Sequence, residues 1–143
     1  MNAAIESFVS GFPDFLIYAG AAGALLIFAC TLYILLTPQR EMALLREGNA
    51  SAGLALAGVI IGLAIPIASC LASSVSLFDL LIWGVVSLLI QILAVRFVDL
   101  ILRDLPRRIE NDEAGAAILL IAVKVASALI IAAALWDPNI GRL

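Results

Sequence analysis

The sequence contains no histidine, which removes the side chain that most often serves as a general base or binds a metal ion. Charged residues are also scarce, at 13% of the chain against 64% hydrophobic residues, a composition far from that of water-soluble globular proteins. The two cysteines, Cys30 and Cys70, lie within apolar runs and are not spaced as a metal or redox pair. Each is therefore interpreted as an inert, buried thiol. The first residues, MNAAIESFVSGFPDF, lack the basic start of a secretory signal, so nothing there predicts cleavage.

Motifs that would indicate catalysis are missing as well. The sequence has no Cys/His cluster, no Gly-rich phosphate loop and no Ser–His arrangement. It also lacks the basic, aromatic-interleaved patch that is typical of proteins that bind nucleic acid. We therefore expect no enzymatic activity, no cofactor or metal ion, and no nucleic-acid partner.

Four long apolar runs dominate the chain. At 1.5 Å per residue, about twenty apolar residues cross a hydrocarbon core of about 30 Å. The sequence therefore predicts an all-α membrane protein, a single four-helix transmembrane domain over residues 1–143 in a lipid bilayer. The predicted spans are residues 15–36, 53–72, 80–95 with an amphipathic extension to 105, and 114–135. Residues 1–14 are expected to form a mostly polar lead before the first span.

The second predicted span contains small residues and a proline. Gly58 and Gly62 have the small-xxx-small spacing that lets two helices approach closely in lipid. Pro66 leaves the carbonyl of Gly62 without its usual helical partner. We interpret the glycine pair as helix packing, within the chain or between chains. Pro66 is either a packing kink or a gate.

An internal repeat is visible in the two charged loops. Residues 46–58 read REGNASAGLALAG, and residues 108–121 read RIENDEAGAAILLI. Each run has a basic residue, a glutamate, an asparagine suited to cap a helix, and a small-residue helix start. Because each run leads into a span, the pattern predicts two parallel-repeat helical hairpins, a plan known in transporters. Short apolar segments also match by chance, so true duplication stays open.

Arginines indicate the orientation of the chain. Most of them lie in two loops and at the end of the third span: Arg40, Arg46, Arg96, Arg103, Arg107 and Arg108. The positive-inside rule predicts cytoplasmic charged loops, with both termini periplasmic or extracellular. The residues expected to contact anionic lipid or a cytoplasmic protein partner are Arg46, Asn49, Arg103, Arg107 and Arg108. Local ion pairs with the neighbouring acids are the alternative.

Lys124 is the residue that an apolar span explains least. It is predicted near the membrane midplane, where a lysine costs about 2.5–3.5 kcal/mol. Gln91 is predicted at a similar depth and Ser127 on a nearby helical face, whereas no acid is predicted there. The amine could be neutral, could be solvated by Gln91, Ser127 and the Gly62 carbonyl, or could face a water-filled cavity or subunit interface. The candidate midplane polar site is therefore Lys124, Gln91, Ser127, Pro66 and Gly62.

Part of the chain resembles a known family. The resemblance is carried by Thr37-Pro38, Glu41, Gly48-Asn49, the run LALAGVIIGLAIPIAS, Asp79, Trp83-Gly84 and Gln91. These residues are similar to those of the YjfL family of small bacterial inner-membrane proteins, over residues 35–113. The resemblance implies four transmembrane helices in an inner membrane, but no activity and no catalytic or ligand residues. Lys124 lies outside the matching region.

Two functions remain open from the sequence. The first is an oligomeric channel or transport component for an ion or small solute, in which the midplane site around Lys124 acts. An oligomer is expected because four helices enclose little more than their own side chains. The alternative is a non-transporting membrane organiser, stress-related or otherwise, that recruits partners or anionic lipid through its charged loops.

Overall fold

The structure, a computed structural model, describes residues 2–37, 40–73 and 76–136. Six helices follow one another along the chain: α1 (Asn2–Leu36), α2 (Glu41–Arg46), α3 (Ala50–Ala72), α4 (Leu77–Leu102), α5 (Leu105–Glu110) and α6 (Ala114–Leu135). Four of these helices, α1, α3, α4 and α6, are long and apolar enough to cross a membrane. Across the described ranges there is no strand. The predicted all-α fold with four spanning helices is confirmed.

The two halves of the chain share one order of elements. A long helix, a six-residue helix and a second long helix occur first as α1–α2–α3 and then as α4–α5–α6. Both short helices lie at the same end of the bundle, which we call the charged end and define as residues 40–49 and 103–113. This order is compatible with a parallel repeat, which stays a prediction.

Helices α3 and α6 form the most extensive contact in the bundle. A Cβ atom on Gly58 would lie 2.9 Å from Cγ1 of Ile121 and 3.3 Å from its Cα. Only a glycine therefore lets the backbones of α3 and α6 approach this closely, which is the use of small residues expected between helices in lipid. Gly58 packs within the chain, against α6.

The N-terminus differs from the sequence expectation. Residues 1–14 were expected to form a polar lead, but α1 begins at Asn2 and continues through Pro13 to Leu36. Three phenylalanines at helical spacing stack along this segment, with ring centroids 5.0 Å apart for Phe8 and Phe12 and 6.3 Å for Phe12 and Phe15. Such pairs stabilise a helix. At 35 residues, α1 is about 52 Å long and exceeds the hydrocarbon thickness.

The amphipathic extension predicted to continue to residue 105 is also interrupted. Helix α4 ends at Leu102 because Arg103 and Asp104 have positive φ angles, 50° and 54°. The carboxylate of Asp99 accepts a hydrogen bond from the backbone N–H of Leu105 at 2.8 Å. That contact bridges the break, so the segment after α4 forms a separate short helix, α5. Pro38 and the residues beyond Trp136 lie outside the described residues.

Candidate functional site: a buried lysine at the charged end

Lys124 is the single lysine of the chain, and its side chain is completely buried. Its Nζ donates a hydrogen bond to the hydroxyl of Tyr33 at 2.7 Å and contacts the carbonyl of Ala55 at 3.5 Å. Tyr33 lies in the last turn of α1, and Ala55 lies near the start of α3. Side chains of a helix lean toward its N-terminus, so the amine reaches from mid-α6 toward the charged end. The lysine is held by a tyrosine hydroxyl, not by the midplane groups.

Solvation of the Lys124 amine by Gln91, Ser127 and the Gly62 carbonyl was one of three environments that the sequence left open, and the structure does not show it. Instead, Nε2 of Gln91 donates to the backbone carbonyls of Lys124, at 3.1 Å, and Gly62, at 3.2 Å. The same Nε2 lies 3.5 Å from Oγ of Ser127. Gln91 joins three helices at mid-bundle, while the lysine amine points away from it.

Gly62 and Pro66 account for the position of Gln91. Pro66 has no backbone N–H, so the carbonyl of Gly62 is available to a side-chain donor. A Cβ atom on Gly62 would lie 2.6 Å from Oε1 of Gln91, closer than any side chain tolerates. The absence of a side chain at Gly62 thus leaves room for the Gln91 amide, and Pro66 leaves the Gly62 carbonyl free to accept its hydrogen bond.

Glu41 is the residue that sequence analysis missed. It is the first residue of α2, and its side chain is only 1% exposed. Neither of its carboxylate oxygens has a hydrogen-bond partner among the described residues, and the same holds for Oε1 of Gln91. A loop acid is normally solvated, and only the folding of residues 41–46 into a helix packed on α3 buries this one. We call Lys124, Tyr33 and Glu41 the lysine cluster.

The protonation of Glu41 is linked to folding. Burial raises the pKa of the Glu41 carboxyl, and the nearby Lys124 charge opposes that rise. The folded chain therefore binds this proton more tightly than the unfolded chain does. The resulting stability is fully present below the ordinary glutamate pKa of about 4.3 and is lost as the pH rises through the higher folded value.

The two charged loops are joined by backbone capping. Oδ1 of Asn49 accepts from the N–H of Ala52 at 2.7 Å and so caps α3. Its Nδ2 donates to the last carbonyls of α5, at 2.8 Å for Ile109 and 3.1 Å for Glu110. One asparagine thus provides hydrogen-bond partners for a backbone N–H at the start of α3 and for two backbone carbonyls at the end of α5.

Asp112 also joins the two charged loops. Its Oδ1 accepts the backbone N–H of Ser51 at 2.7 Å, so it caps α3 in the other half of the chain. This hydrogen bond lowers the pKa of the Asp112 carboxyl. Stability from this contact is present above the ordinary aspartate pKa and is lost as the pH falls through the lowered value.

The remaining residues predicted to act at the charged end are arginines. Arg46, Arg103 and Arg107 are exposed, and no ion pair involves them within the described residues. Arg108 is different, because its guanidinium pairs with Glu113 at 2.7 Å. The structure therefore brings Asn49 into the junction and leaves three arginines available to an outside partner.

Comparison with known proteins places the chain in a family. Residues 7–135 match the family model described as Domain of Unknown Function (DUF350). The chain belongs to the DUF350 family. Within it, the chain is 31% identical over 110 residues to the UPF0719 inner membrane protein YjfL of Escherichia coli strain K12, covering 77% of this chain and 83% of that relative. The same values hold for YjfL of Escherichia coli O157:H7, and no solved structure matches.

The DUF350 assignment confirms the resemblance seen in the sequence. The matched region extends beyond the residues that carried the resemblance and includes Lys124. Together with the four apolar helices, the match to YjfL supports a multi-pass inner-membrane protein. DUF350 names no activity, and no group of acids and cysteines among the described residues is arranged to hold a metal ion.

The hydrogen bonds of Asn49 between α3 and α5 give a first prediction. Replacing Asn49 with alanine removes the cap of α3 and both bonds to α5, and we expect the free energy of unfolding to fall by about 1–2 kcal/mol. Reversible unfolding in mixed detergent measures this loss. Asn111→Ala is the matched control, because the Asn111 side chain is exposed and makes no hydrogen bond to the described residues. Equal stability of the two variants would contradict the capping role.

Proposed function

We propose that the protein is an ion-handling component of the inner membrane, a channel or transport subunit whose site is the lysine cluster. The observation that carries this proposal is the burial of two ionisable side chains, Lys124 and Glu41, in a membrane-spanning bundle. A lysine within a spanning helix costs about 2.5–3.5 kcal/mol, and such residues mark ion and proton pathways. A purely structural role is served at lower cost by an apolar residue of similar volume.

Polar groups extend from the cluster toward the other end of the bundle. Gln91 and Ser87 are fully buried on α4, and Ser127 lies beside Gln91 on α6. Oε1 of Gln91 is a buried acceptor with no donor among the described residues. These groups offer a route for an ion beyond Lys124. Because four helices enclose only their own side chains, a continuous path is expected in a homo-oligomer or a second conformation.

The distribution of arginines predicts how the protein is oriented in the membrane. Six of the seven arginines lie in the two charged loops or near the end of α4: Arg40, Arg46, Arg96, Arg103, Arg107 and Arg108. By the positive-inside rule, the charged end is cytoplasmic and both termini are periplasmic. The lysine cluster would then open toward the cytoplasm. Labelling of a cysteine introduced at exposed Glu47, with a membrane-impermeant reagent, tests this: no labelling is expected in whole cells.

Removing the lysine charge tests the transport function. In proteoliposomes, wild-type protein is expected to carry proton, potassium or chloride flux above that of empty vesicles. Lys124→Met, which keeps the apolar stem, should reduce this flux at least about tenfold, because the site loses its only cationic group. The matched control is Arg46→Met, an exposed cation at the same end, with flux unchanged. Wild-type flux equal to that of empty vesicles, or full flux in Lys124→Met, would refute the proposal.

A second candidate function follows from the exposed arginines. Arg46, Arg103 and Arg107 make no ion pair with the described residues, so their charges are available to anionic lipid or a cytoplasmic protein. A membrane organiser of this kind depends on the charged loops and not on Lys124. Neutralising Arg103 and Arg107 would abolish its partner binding, whereas Lys124→Met would leave it intact. The Arg103/Arg107 variant and Lys124→Met therefore distinguish the two candidate functions.

A further inference from the structure

The hydrogen-bonding capacity of the lysine cluster is not used up by its direct contacts. A lysine ammonium has three donors, and the Tyr33 hydroxyl has one. Nζ of Lys124 uses one donor on Tyr33 and reaches the Ala55 carbonyl only at 3.5 Å, the limit of a hydrogen bond. On the acceptor side, both oxygens of Glu41 have no donor among the described residues. Surplus donors and surplus acceptors thus occur in one buried cluster.

Glu41 and Lys124 are not joined directly. Glu41 and Lys124 interact electrostatically, yet no direct ion pair within 4.0 Å joins them among the described residues. Buried polar groups that lack a protein partner are characteristically satisfied by an ordered water molecule. A water molecule that bridged Glu41, Lys124 and Tyr33 would have one acceptor group and two donor groups, which meets the requirement of two to four polar partners.

We infer that a water molecule bridges the Glu41 carboxylate to the Lys124 amine and the Tyr33 hydroxyl, and that this bridge exchanges a proton between Glu41 and Lys124. The inference rests on the proposed ion-handling function and specifies its ion as the proton. Helix α2 thereby becomes part of the site, because Glu41 is its first residue. Tyr33 is a positioning residue, since it orients the amine and does not itself change charge.

The proton exchange balances without any further reactant. The ammonium of Lys124 gives one proton to the bridging water, and the water gives one of its own protons to the carboxylate of Glu41. The N–H bond breaks as the new O–H bond to the carboxyl oxygen forms. A charged pair becomes a neutral amine and a neutral acid, and the net charge of the cluster stays zero. Burial disfavours the charged pair relative to the neutral pair, and this narrows the free-energy gap between the two states.

Other ionisable groups near the cluster do not replace either partner. Helix α3 has no charged residue, and on α1 the titratable group facing the cluster is Tyr33 itself. On α4, Arg96 is exposed and Asp99 bonds to the backbone of Leu105. On α5 and the turn after it, Arg107 and Glu110 are exposed and Arg108 pairs with Glu113. Glu41 and Lys124 are thus the pair between which the proton moves.

Solid-state NMR in lipid bilayers tests the bridge directly. Protein labelled with ¹⁵N at lysine Nζ gives one side-chain signal, because the chain has one lysine. The Glu41 carboxyl signal is identified as the ¹³C-glutamate signal that disappears in Glu41→Gln. In water-edited spectra, both signals are expected to receive polarisation from water at short mixing times. If either signal receives no polarisation from water at short mixing times, the water bridge is refuted.

The coupling of the two charges is tested by the Glu41 titration. In Lys124→Met the midpoint of the Glu41 signal should move upward by about one to three pH units, because a nearby cation no longer favours the carboxylate. Arg46→Met, an exposed cation on the same short helix, should leave the midpoint within a few tenths of a unit. An unmoved midpoint in Lys124→Met overturns the exchange.

The flux assay distinguishes this inference from the function on which it rests. Proton flux that is lost in Glu41→Gln and retained in Glu47→Gln, an exposed acid of the same loop, supports proton exchange. Flux of potassium or chloride that depends on Lys124 but not on Glu41 keeps the transport function and overturns the inference. Wild-type flux equal to that of empty vesicles removes the function, whereas the NMR titration still decides whether Glu41 and Lys124 share a proton.

Discussion

Replacing Tyr33 with phenylalanine is expected to lower the free energy of unfolding by about 2–3 kcal/mol. The hydroxyl is the short-range acceptor of the Lys124 amine, at 2.7 Å, and both side chains are fully buried. Leaving a buried donor unsatisfied costs about 1–3 kcal/mol, and more when the donor is charged. The aromatic ring stays in place, so the loss reports the hydrogen bond and not the packing. Reversible unfolding in mixed detergent measures it.

The chain offers a matched control for this substitution. Tyr18 lies on the same helix, is exposed, and makes no hydrogen bond to the described residues. Tyr18→Phe should therefore change the free energy of unfolding by less than about 0.5 kcal/mol. The double variant Tyr33→Phe with Lys124→Met should recover most of the loss, because the unsatisfied donor is gone. Equal stability of the Tyr33 and Tyr18 variants would show that the amine is not bound to Tyr33.

Replacing Gly58 with valine is expected to destabilise the bundle by about 2–3 kcal/mol. The new Cβ would lie 2.9 Å from Cγ1 and 3.3 Å from Cα of Ile121. Because the second of these atoms is backbone, α3 and α6 have to separate, and overpacking of this kind costs about 1–3 kcal/mol, occasionally more. The contact between α3 and α6 is the most extensive in the molecule, so the separation also loosens the lysine cluster.

Gly115→Val is the control for the Gly58 substitution. Gly115 is in the first turn of α6, and a Cβ atom there meets nothing within 4 Å. Its replacement should cost less than about 0.5 kcal/mol. If Gly58→Val were as stable as Gly115→Val, the close approach of α3 and α6 would be incorrect.

The sequence predicts the fold well because lipid leaves few alternatives. Backbone polar groups must be satisfied within each spanning segment, so a long apolar run implies a helix. The runs that became α3 and α6 were located within a few residues of their observed ends. Residues 2–14 were missed because their polar side chains suggested a solvated lead. Stacking of Phe8, Phe12 and Phe15 along this segment supports the helix there.

The candidate site was predicted only in part. Lys124 and Gln91 stand out because polar residues are rare in spans, and both are completely buried. Contact of the Lys124 amine with Gln91, one of the alternatives left open, is not observed, because depth along a helix locates the Cα atom, whereas the lysine amine lies nearer the helix N-terminus. Tyr33 was not among the candidate site residues. Glu41 was missed because its burial arises from the docking of α2 on α3, a tertiary contact that no local pattern encodes.

The hydrogen bond between Lys124 and Tyr33 is the contact on which the account depends. Nitrogen–carbon recoupling by solid-state NMR measures it in lipid bilayers, using protein with ¹⁵N at its single lysine and ¹³C in its tyrosine rings. We predict strong transfer from Nζ to the ring of Tyr33, abolished in Tyr33→Phe and unchanged in Tyr18→Phe. Absence of that transfer, with a close contact between Nζ and the Gln91 amide instead, would contradict the hydrogen bond and place the amine in the middle of the bundle.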